Sequence, residues 1–185
     1  MMKKIVFAFE LDNTLWECGG ERHDKLESPF EKKSVISGLI KDKRGKKLYP
    51  YPGIKTILSQ IKDSGYTIVF MATTEKPECT RQLLKITEID HFPDISLFNK
   101  DNKKDQINKL MADTGSKPED IIYFDSSREN THQVKPIGVN TFLIPDEGLT
   151  HDTFMVVMKN VSMYMDVERL GITWGSTRRK VSGER

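Results

Sequence analysis

Short apolar runs alternate along this chain with segments of helical periodicity, and this alternation restricts the fold more than any other feature of the sequence. The runs have the length and composition of strands that are covered on both faces. Four lie at residues 5–9, 67–72, 121–124 and 141–144, and a weaker fifth lies at 95–98. Three other segments carry apolar residues at helical spacing, at 54–61, 107–111 and 154–161. Strands that alternate with helices predict an α/β fold built on a doubly wound parallel sheet.

The segment 17–52 departs from this alternation. It is polar, contains four glycines, and offers only a weak strand candidate at 35–40. We expect a loop with a small hairpin that projects beside the first strand. A chain of 185 residues suits one hydrophobic core. We predict one domain at 1–165 with an insertion at 17–52, followed by a basic tail at 166–185.

Charge and cysteine content limit the classes of partner and the cellular compartment that the sequence predicts. The chain has 29 Lys and Arg against 27 Asp and Glu, so its net charge of +2 creates no overall field that would attract nucleic acid or membranes. The two cysteines lie far apart, which suits a reducing compartment. Acidic residues appear by Glu10, too early for a signal peptide. These features predict a soluble cytoplasmic protein, with an organelle such as the mitochondrion as the alternative.

The first strand leads directly into an acidic loop that contains Glu10, Asp12, Asn13 and Thr14. Ligands of open α/β sheets bind outside the carboxyl ends of the strands, so this loop is the predicted site. Two carboxylates separated by one residue can converge on Mg²⁺, which suits phosphate chemistry. The alternative is a structural role in which Asp12 and Asn13 cap a helix or form an Asx turn.

The loop residues FELDNTLW, at 9–16, resemble the first motif of the haloacid dehalogenase superfamily, in which Asp-x-Asp-x-Thr follows strand one. Further ordered segments are similar to its small magnesium-dependent phosphatase family, and the resemblance covers about residues 4–161. These segments are SPFEKK at 28–33, KDKRGKKLYPYPG at 41–53, TTE at 73–75, RQLL at 81–84, TG at 114–115, IYFDSSREN at 122–130 and IGV at 137–139. The resemblance implies a Rossmann-like sheet without a large cap domain and Mg²⁺ as cofactor.

The resemblance also implies roles for individual residues. Glu10 stands at the position of the nucleophile, and Asp12 at that of the residue that protonates the leaving group and then activates water. Thr73 and Lys103 fall where the family holds phosphate oxygens. Ala72 is the alternative to Thr73. Lys104 competes with Lys103, and either lysine could instead be a solvated helix start.

The implied metal ligands are Glu10, Asp12, Asp125 and Ser126, although Asp125 could instead cap the following helix. Two of these residues depart from the family pattern. Glu10 replaces an aspartate, and its extra methylene adds about 1.5 Å to the side chain. Ser126 replaces an acidic residue and is a weaker ligand for Mg²⁺ than a carboxylate.

Two functions therefore remain open. The first is a Mg²⁺-dependent phosphatase with an open cleft that hydrolyses phosphomonoesters on small molecules or protein side chains. The second is a catalytically degenerate domain that acts as a structural or partner-binding subunit, with Tyr164 and Trp174 as anchors near and within the tail. A phosphatase for nucleic-acid ends is disfavoured because the chain lacks a basic channel with interleaved aromatic residues.

Overall fold

The structure is a computed structural model that describes the backbone of residues 5–169 and the side chains of residues 5–160. The chain divides into two compact units, Met1–His151 and Asp152–Arg185. The strands of the first unit are β1 (Val6–Glu10), β2 (Trp16–Glu17), β3 (Glu31–Lys32), β4 (Ile40–Lys41), β5 (Lys47–Pro50), β6 (Thr67–Thr73), β7 (Ile95–Asn99), β8 (Ile121–Asp125) and β9 (Asn140–Leu143). Its α-helices are α1 (Ile54–Asp63), α2 (Pro77–Ile86), α3 (Lys103–Thr114) and α4 (Arg128–Val134).

Five strands form a parallel sheet in the order β7-β6-β1-β8-β9. The chain passes from β1 outwards to β6 and β7, then crosses to β8 and β9 on the other side. The predicted doubly wound sheet is confirmed, and all five strand candidates are present. The change of direction falls beside β1, which is where such sheets bind ligands.

Strand periodicity separates the two faces of this sheet. Val6 and Ala8 face a core cluster that also contains Val69, Met71 and Tyr123 from the neighbouring strands. Helices α3 and α4 cover this face with their apolar residues Ile107, Leu110 and Val134. The next residues of the same alternation, two positions beyond the last core residue of each strand, are Glu10, Thr73 and Asp125. The periodicity thus directs three polar side chains to one face at the carboxyl edge.

Helices α2 and α4 have no counterpart among the three predicted helical segments. Helix α4 is only seven residues long and buries Thr131 and Val134, so it carries almost no apolar period. Helix α2 buries Thr80, Leu83 and Leu84 over ten residues. Short crossover helices of a doubly wound fold are specified by the strands they connect more than by their own pattern.

The insertion contains the predicted small hairpin. Strands β2, β5, β4 and β3 form an antiparallel sheet in that order. The strand candidate at 35–40 is wrong, because residues 35–37 form the turn between β3 and β4 and only Ile40 belongs to a strand. Val35 and Ile36 are almost fully exposed in this turn. Their β-branched side chains, which favour strands, therefore do not belong to a buried strand here.

The second unit begins at Asp152 and contains all of helix α5 (His151–Arg169) except its first residue. The predicted tail at 166–185 overlaps the end of this helix, and residues 170–185, with Trp174, lie outside the described residues. The boundary at 165 stays a prediction. No helix in the described part of the chain is long and apolar enough to cross a membrane.

Candidate active site

Glu10 is the last residue of β1 and lies almost buried at the carboxyl edge of the parallel sheet. Its register partner is Met71 of β6. Because Glu10 follows Ala8 on the same face, its carboxylate is directed towards α3 rather than towards solvent. The site position predicted from the sequence is therefore a buried one, in which a charged group has strong effects on its neighbours.

Lys103 lies beside Glu10 and is only 2% exposed. It is the first residue of α3, and the side chain of Asn102 caps the helix by accepting a hydrogen bond from the backbone N–H of Asp105. The Nζ of Lys103 lies 3.9 Å from Oε1 of Glu10 and donates to Oε1 of Gln106 at 3.2 Å. Lys104 is exposed. Of the two candidate lysines, Lys103 is the one that the fold brings to the acidic loop, and it is not a solvated helix start.

Burial dominates the electrostatics of this pair. It raises the pKa of Glu10 well above the ordinary value, against the opposing effect of Lys103, and Asp12 and Asp125 raise it further. Burial also lowers the pKa of Lys103, against the effects of Glu10 and Asp125. Both shifts disfavour the charged forms, which is the effect expected of burial away from solvent.

The carboxylate of Asp12 is bound by residues of the insertion and of the loop before it. Its carboxylate accepts hydrogen bonds from Nε1 of Trp16 at 2.9 Å, from Nδ1 of His23 at 2.9 Å and from the backbone N–H of His23 at 3.1 Å. The N–H of Thr14 donates instead to the carbonyl of Leu11, so Asp12 does not form the Asx turn considered as the alternative. Burial raises the pKa of Asp12, but the donors from His23 and Trp16 outweigh it and hold the pKa below the ordinary value.

The loop itself turns sharply after Leu11. Asn13 adopts a left-handed conformation with φ of 53°, which asparagine tolerates better than most residues. The N–H groups of Leu15 and Trp16 both donate to the carbonyl of Leu11, and the N–H of Asn13 donates to the carbonyl of Trp16. This turn brings the carboxylate of Asp12 within hydrogen-bonding distance of Trp16 and His23.

Asp125 ends β8, next to β1, and is 1% exposed. It accepts hydrogen bonds from the N–H of Ser127 at 2.7 Å, from Nδ2 of Asn130 at 2.9 Å and from the hydroxyl of Tyr123. Burial raises its pKa above the ordinary value despite these donors. The cap of α4 is Ser127 rather than Asp125, so the alternative role as N-cap does not apply.

Ser126 connects the two strand ends. Its hydroxyl donates to the backbone carbonyl of Asp12 at 3.1 Å. The predicted metal ligands Glu10, Asp12, Asp125 and Ser126 thus lie at the carboxyl ends of β1 and β8, and the carboxylate of Asp12 is already bound by His23 and Trp16. Among the described side chains, at residues 5–160, no group of three or more His, Cys, Asp or Glu has the arrangement of a metal site.

Thr73 is the last residue of β6, and its hydroxyl binds a backbone carbonyl rather than Glu10 or Lys103. The hydroxyl donates to the carbonyl of Asp101 at 2.9 Å, and the Thr73 carbonyl accepts from the guanidinium of Arg22. Its alternative, Ala72, is buried, and its carbonyl accepts from Gln106, the same side chain that binds Lys103. A small pocket of about 350 Å³, lined in part by Arg22, Thr73 and Lys100, opens beside this strand end.

Sequence reasoning missed His23. This residue lies in a polar segment that is predicted as loop, eleven positions from Asp12, and no local pattern marks it. In the structure it is fully buried, within a short 3₁₀ turn of the insertion, and it contacts both carboxylate oxygens of Asp12 at 2.9 Å. Only the folding of the insertion over the strand end brings the two residues together.

The chain matches the acid phosphatase family over residues 2–164. It is 28% identical to magnesium-dependent phosphatase 1 of Homo sapiens over 71% of this chain and 73% of that protein. Its fold is similar to that of a haloacid dehalogenase-like hydrolase from Streptococcus pneumoniae, with a TM-score of 0.57 and 14% identity over 87% of this chain and 98% of the other. It also resembles a Bacteroides fragilis phosphatase domain complexed with Mg, with a TM-score of 0.52 and 13% identity over 78% of this chain and 37% of that one. The chain therefore belongs to the acid phosphatase family, among the small magnesium-dependent phosphatases of the haloacid dehalogenase superfamily.

Proposed function

We propose that the protein is a Mg²⁺-dependent phosphatase that hydrolyses phosphomonoesters at the carboxyl edge of β1. Membership of the family supports the reaction class. The observation that carries the assignment of the site is the buried pair of Glu10 and Lys103, in which Nζ lies 3.9 Å from Oε1. Asp125 ends the neighbouring strand β8 at the same edge of the sheet. A buried cation next to acidic oxygens is the arrangement that phosphoryl transfer requires.

Glu10 is the proposed nucleophile. Its carboxylate oxygen attacks phosphorus, the bond from phosphorus to the leaving oxygen breaks, and water then hydrolyses the acyl phosphate that has formed. Lys103 balances the charge on the transferring phosphoryl oxygens, because its ammonium lies within reach of Glu10 and is shielded from water. Glu10 must be ionised to attack, and Lys103 is the group that favours the ionised form against burial.

Asp12 is the proposed group for proton exchange with the leaving oxygen and with water. Because hydrogen bonds from His23 and Trp16 lower its pKa, the carboxylate is mainly ionised at neutral pH. That state suits activation of water better than protonation of a leaving group. Substrates whose leaving group needs little protonation, such as aryl phosphates, are therefore favoured. Phosphorylated tyrosine belongs to this class.

The residues present fit a magnesium ion. Asp12 and Asp125 both raise the pKa of Glu10, so three acidic groups share one place and a divalent cation would relieve their repulsion. Mg²⁺ needs only one or two carboxylates, together with waters and substrate oxygens. Glu10 and Asp125 would supply the carboxylates. Asp12 would contribute its backbone carbonyl, since its carboxylate is bound to His23 and Trp16. The bound ion would supply positive charge to the phosphoryl oxygens.

Release of p-nitrophenol from p-nitrophenyl phosphate tests the proposal. We expect turnover with Mg²⁺ that is abolished by EDTA, and kcat about 10²- to 10⁴-fold lower in Asp12→Asn. Lys103→Met should lower kcat by about 10²- to 10³-fold. Lys104→Met is its matched control, because Lys104 is the adjacent exposed lysine.

Two results would contradict the proposal. One is a Mg²⁺-loaded wild-type protein with no turnover above that of Asp12→Asn. The other is equal loss of activity in the Lys103 and Lys104 variants, which would separate the chemistry from the buried pair.

A further inference from the structure

A chain of three buried polar side chains runs from the catalytic loop into helix α2. Nδ1 of His23 lies 2.9 Å from both carboxylate oxygens of Asp12, and Nε2 of His23 lies 2.7 Å from Oγ1 of Thr80. The Thr80 hydroxyl also lies 3.4 Å from the carbonyl of Lys76. His23 and Thr80 are both fully buried. Three separate segments therefore meet at one imidazole ring.

The hydrogen bonds determine how the ring is oriented. Nδ1 faces only carboxylate oxygens among its recorded partners, so it must carry a hydrogen and donate. Nε2 faces a hydroxyl, which can donate or accept. The backbone N–H of His23 adds a second donor to the same carboxylate at 3.1 Å. The Trp16 ring meets the imidazole edge to face, with centroids 5.8 Å apart.

Asp12 needs such a support, because the parallel sheet does not place it. It lies beyond the end of β1, in a turn, where an isolated bridge to Trp16 and a hydrogen bond from the Ser126 hydroxyl link its backbone to neighbours. A carboxylate in a turn can rotate about two side-chain bonds, and a misplacement of about 1 Å can cost on the order of 10²-fold in rate. Two donors from His23 and one from Trp16 leave it a single orientation.

We infer that His23 is a positioning residue for catalysis: it holds the carboxylate of Asp12 in the orientation needed for proton exchange, and Thr80 holds His23. This inference rests on the proposed phosphatase function. It assigns a role to the insertion, because the catalytic edge of the sheet is complete only when the 3₁₀ turn of residues 23–25 lies over it.

Two matched substitutions separate the two nitrogens of the ring. An asparagine at position 23 places its amide nitrogen near the position of Nδ1, so His23→Asn keeps a donor for Asp12 and loses the bond to Thr80. A glutamine places its nitrogen near Nε2, so His23→Gln does the reverse. We expect His23→Gln to lower kcat for p-nitrophenyl phosphate by about 10²-fold with little change in KM, and His23→Asn to restore most of that loss.

A purely structural role of His23 would lower kcat to the same extent in His23→Gln and His23→Asn. Both substitutions remove a buried aromatic ring, so both should lower Tm by similar amounts. The matching change on α2 is Thr80→Val, which should lower kcat by several-fold. Its control is Thr87→Val directly after α2, because the Thr87 hydroxyl donates to the carbonyls of Leu83 and Leu84 rather than to His23.

Nuclear magnetic resonance provides a readout that does not depend on activity. The chain has four histidines. With ¹⁵N-labelled histidine, we expect one slowly exchanging downfield imidazole N–H signal that is absent in His23→Asn and shifted in Asp12→Asn. His91→Asn is the control for labelling, since His91 is exposed.

The outcomes distinguish this inference from the proposed function. If the wild-type protein shows the N–H signal but no phosphatase activity, the proposed function fails, and the catalytic role of His23 fails with it. If the protein is active but His23→Asn and His23→Gln lose the same share of kcat, only the inference fails. Absence of the signal, or its insensitivity to Asp12→Asn, overturns the contact on which the inference depends.

Discussion

The parallel sheet and the insertion are built in different ways, although each supplies one side of the same site. The sheet strands contain four to seven residues, and β1, β6 and β8 are buried over almost their whole length. The strands of the insertion contain two to four residues and are partly exposed. Apolar burial organises the first region, whereas hydrogen bonds from buried polar side chains organise the second.

Asp42 shows how the insertion is held. Its carboxylate accepts hydrogen bonds from the N–H groups of Glu27 at 3.0 Å, Arg44 at 2.8 Å and Lys46 at 2.7 Å. These donors close the turn between β4 and β5 and tie it to the preceding loop. On the surface, Lys32 of the insertion pairs with Glu88, which also binds Lys55 of α1. Exposed pairs of this kind add little stability.

The difference between the two regions explains why two neighbouring carboxylates behave in opposite ways. The register of the sheet places Glu10, and burial raises its pKa. The hydrogen bonds of the insertion place Asp12, and they lower its pKa. Two acidic residues separated by one position thus acquire different chemistry because they face different regions. Three substitutions test this comparison, from the largest expected effect to the smallest.

Glu10→Asp tests the sheet side. Removing one methylene withdraws the carboxylate by about 1.5 Å and restores the family's side chain at this position. We expect kcat for p-nitrophenyl phosphate to rise by up to about 10²-fold, since in-line attack depends on placement within about 1 Å. Steady-state kinetics with saturating Mg²⁺ measure the change.

Glu10→Gln is the control, because it keeps the length and removes the nucleophile, and it should be inactive. A lower kcat in Glu10→Asp would show that this site is adapted to the longer side chain. In that case the extra methylene of Glu10 would not misplace the carboxylate.

Gly148→Ala tests how the insertion is attached to the sheet. Gly148 has φ of +78°, and a Cβ there would lie only 2.2 Å from Cδ2 of Tyr51, the residue that follows β5. The Tyr51 hydroxyl donates to the carbonyl of Asp146, so the two loops are joined at this place. We expect a loss of about 2–3 kcal/mol in the free energy of unfolding, measured by urea titration.

Gly45→Ala is the matched control. Gly45 has φ of +83°, but a Cβ there meets nothing within 4 Å. Its substitution should cost only the strain of a left-handed alanine, about 1–2 kcal/mol. Equal losses at the two positions would show that Tyr51 yields to the added methyl group and that the attachment is loose.

Asp42→Asn tests the insertion side through pH. Burial raises the pKa of Asp42, but its three N–H donors outweigh this and lower the pKa below the ordinary value. A carboxylate with a lowered pKa stabilises the fold above its unfolded pKa of about 3.9, and this stabilisation is lost as the pH falls through the folded pKa. At pH 7 we expect Asp42→Asn to destabilise the protein by about 1–2 kcal/mol.

Thermal unfolding at pH 7 and at pH 3 measures this effect. The difference in Tm between wild type and Asp42→Asn should shrink at pH 3, where Asp42 of the wild type approaches neutrality. Asp63→Asn, at an exposed position on α1, is the control and should change Tm less. A difference that persists unchanged at pH 3 would mean that the charge of Asp42 does not hold the insertion.

Prediction from the sequence worked best where burial is continuous. The five sheet strands are recognisable because each one is an apolar run of its own. Helix α4 escaped prediction because its seven residues bury only Thr131 and Val134. The candidate at 35–40 was wrong because Val35 and Ile36, typical strand residues, occupy an exposed turn. Local propensity is a poor guide where no core selects it.

The site followed the same division. Glu10, Asp12, Thr73, Lys103, Asp125 and Ser126 were predicted from the resemblance, and their catalytic and metal-binding roles stay predictions. The strand ends explain why Glu10 and Asp125 lie together, since adjacent parallel strands end at one edge. The alternative of a degenerate partner-binding subunit is not favoured by the family match, and the tail residues on which it depended lie largely outside the described part of the chain.

The amino-acid sequence alone determined the parallel sheet, the position of the acidic loop at its edge and the family to which the chain belongs, because apolar periodicity and ordered motifs are local properties. Only the tertiary structure decided that Lys103 and not Lys104 lies beside Glu10, and that His23 forms hydrogen bonds with Asp12. These contacts join segments distant in the chain, and their energy depends on burial that no local pattern records.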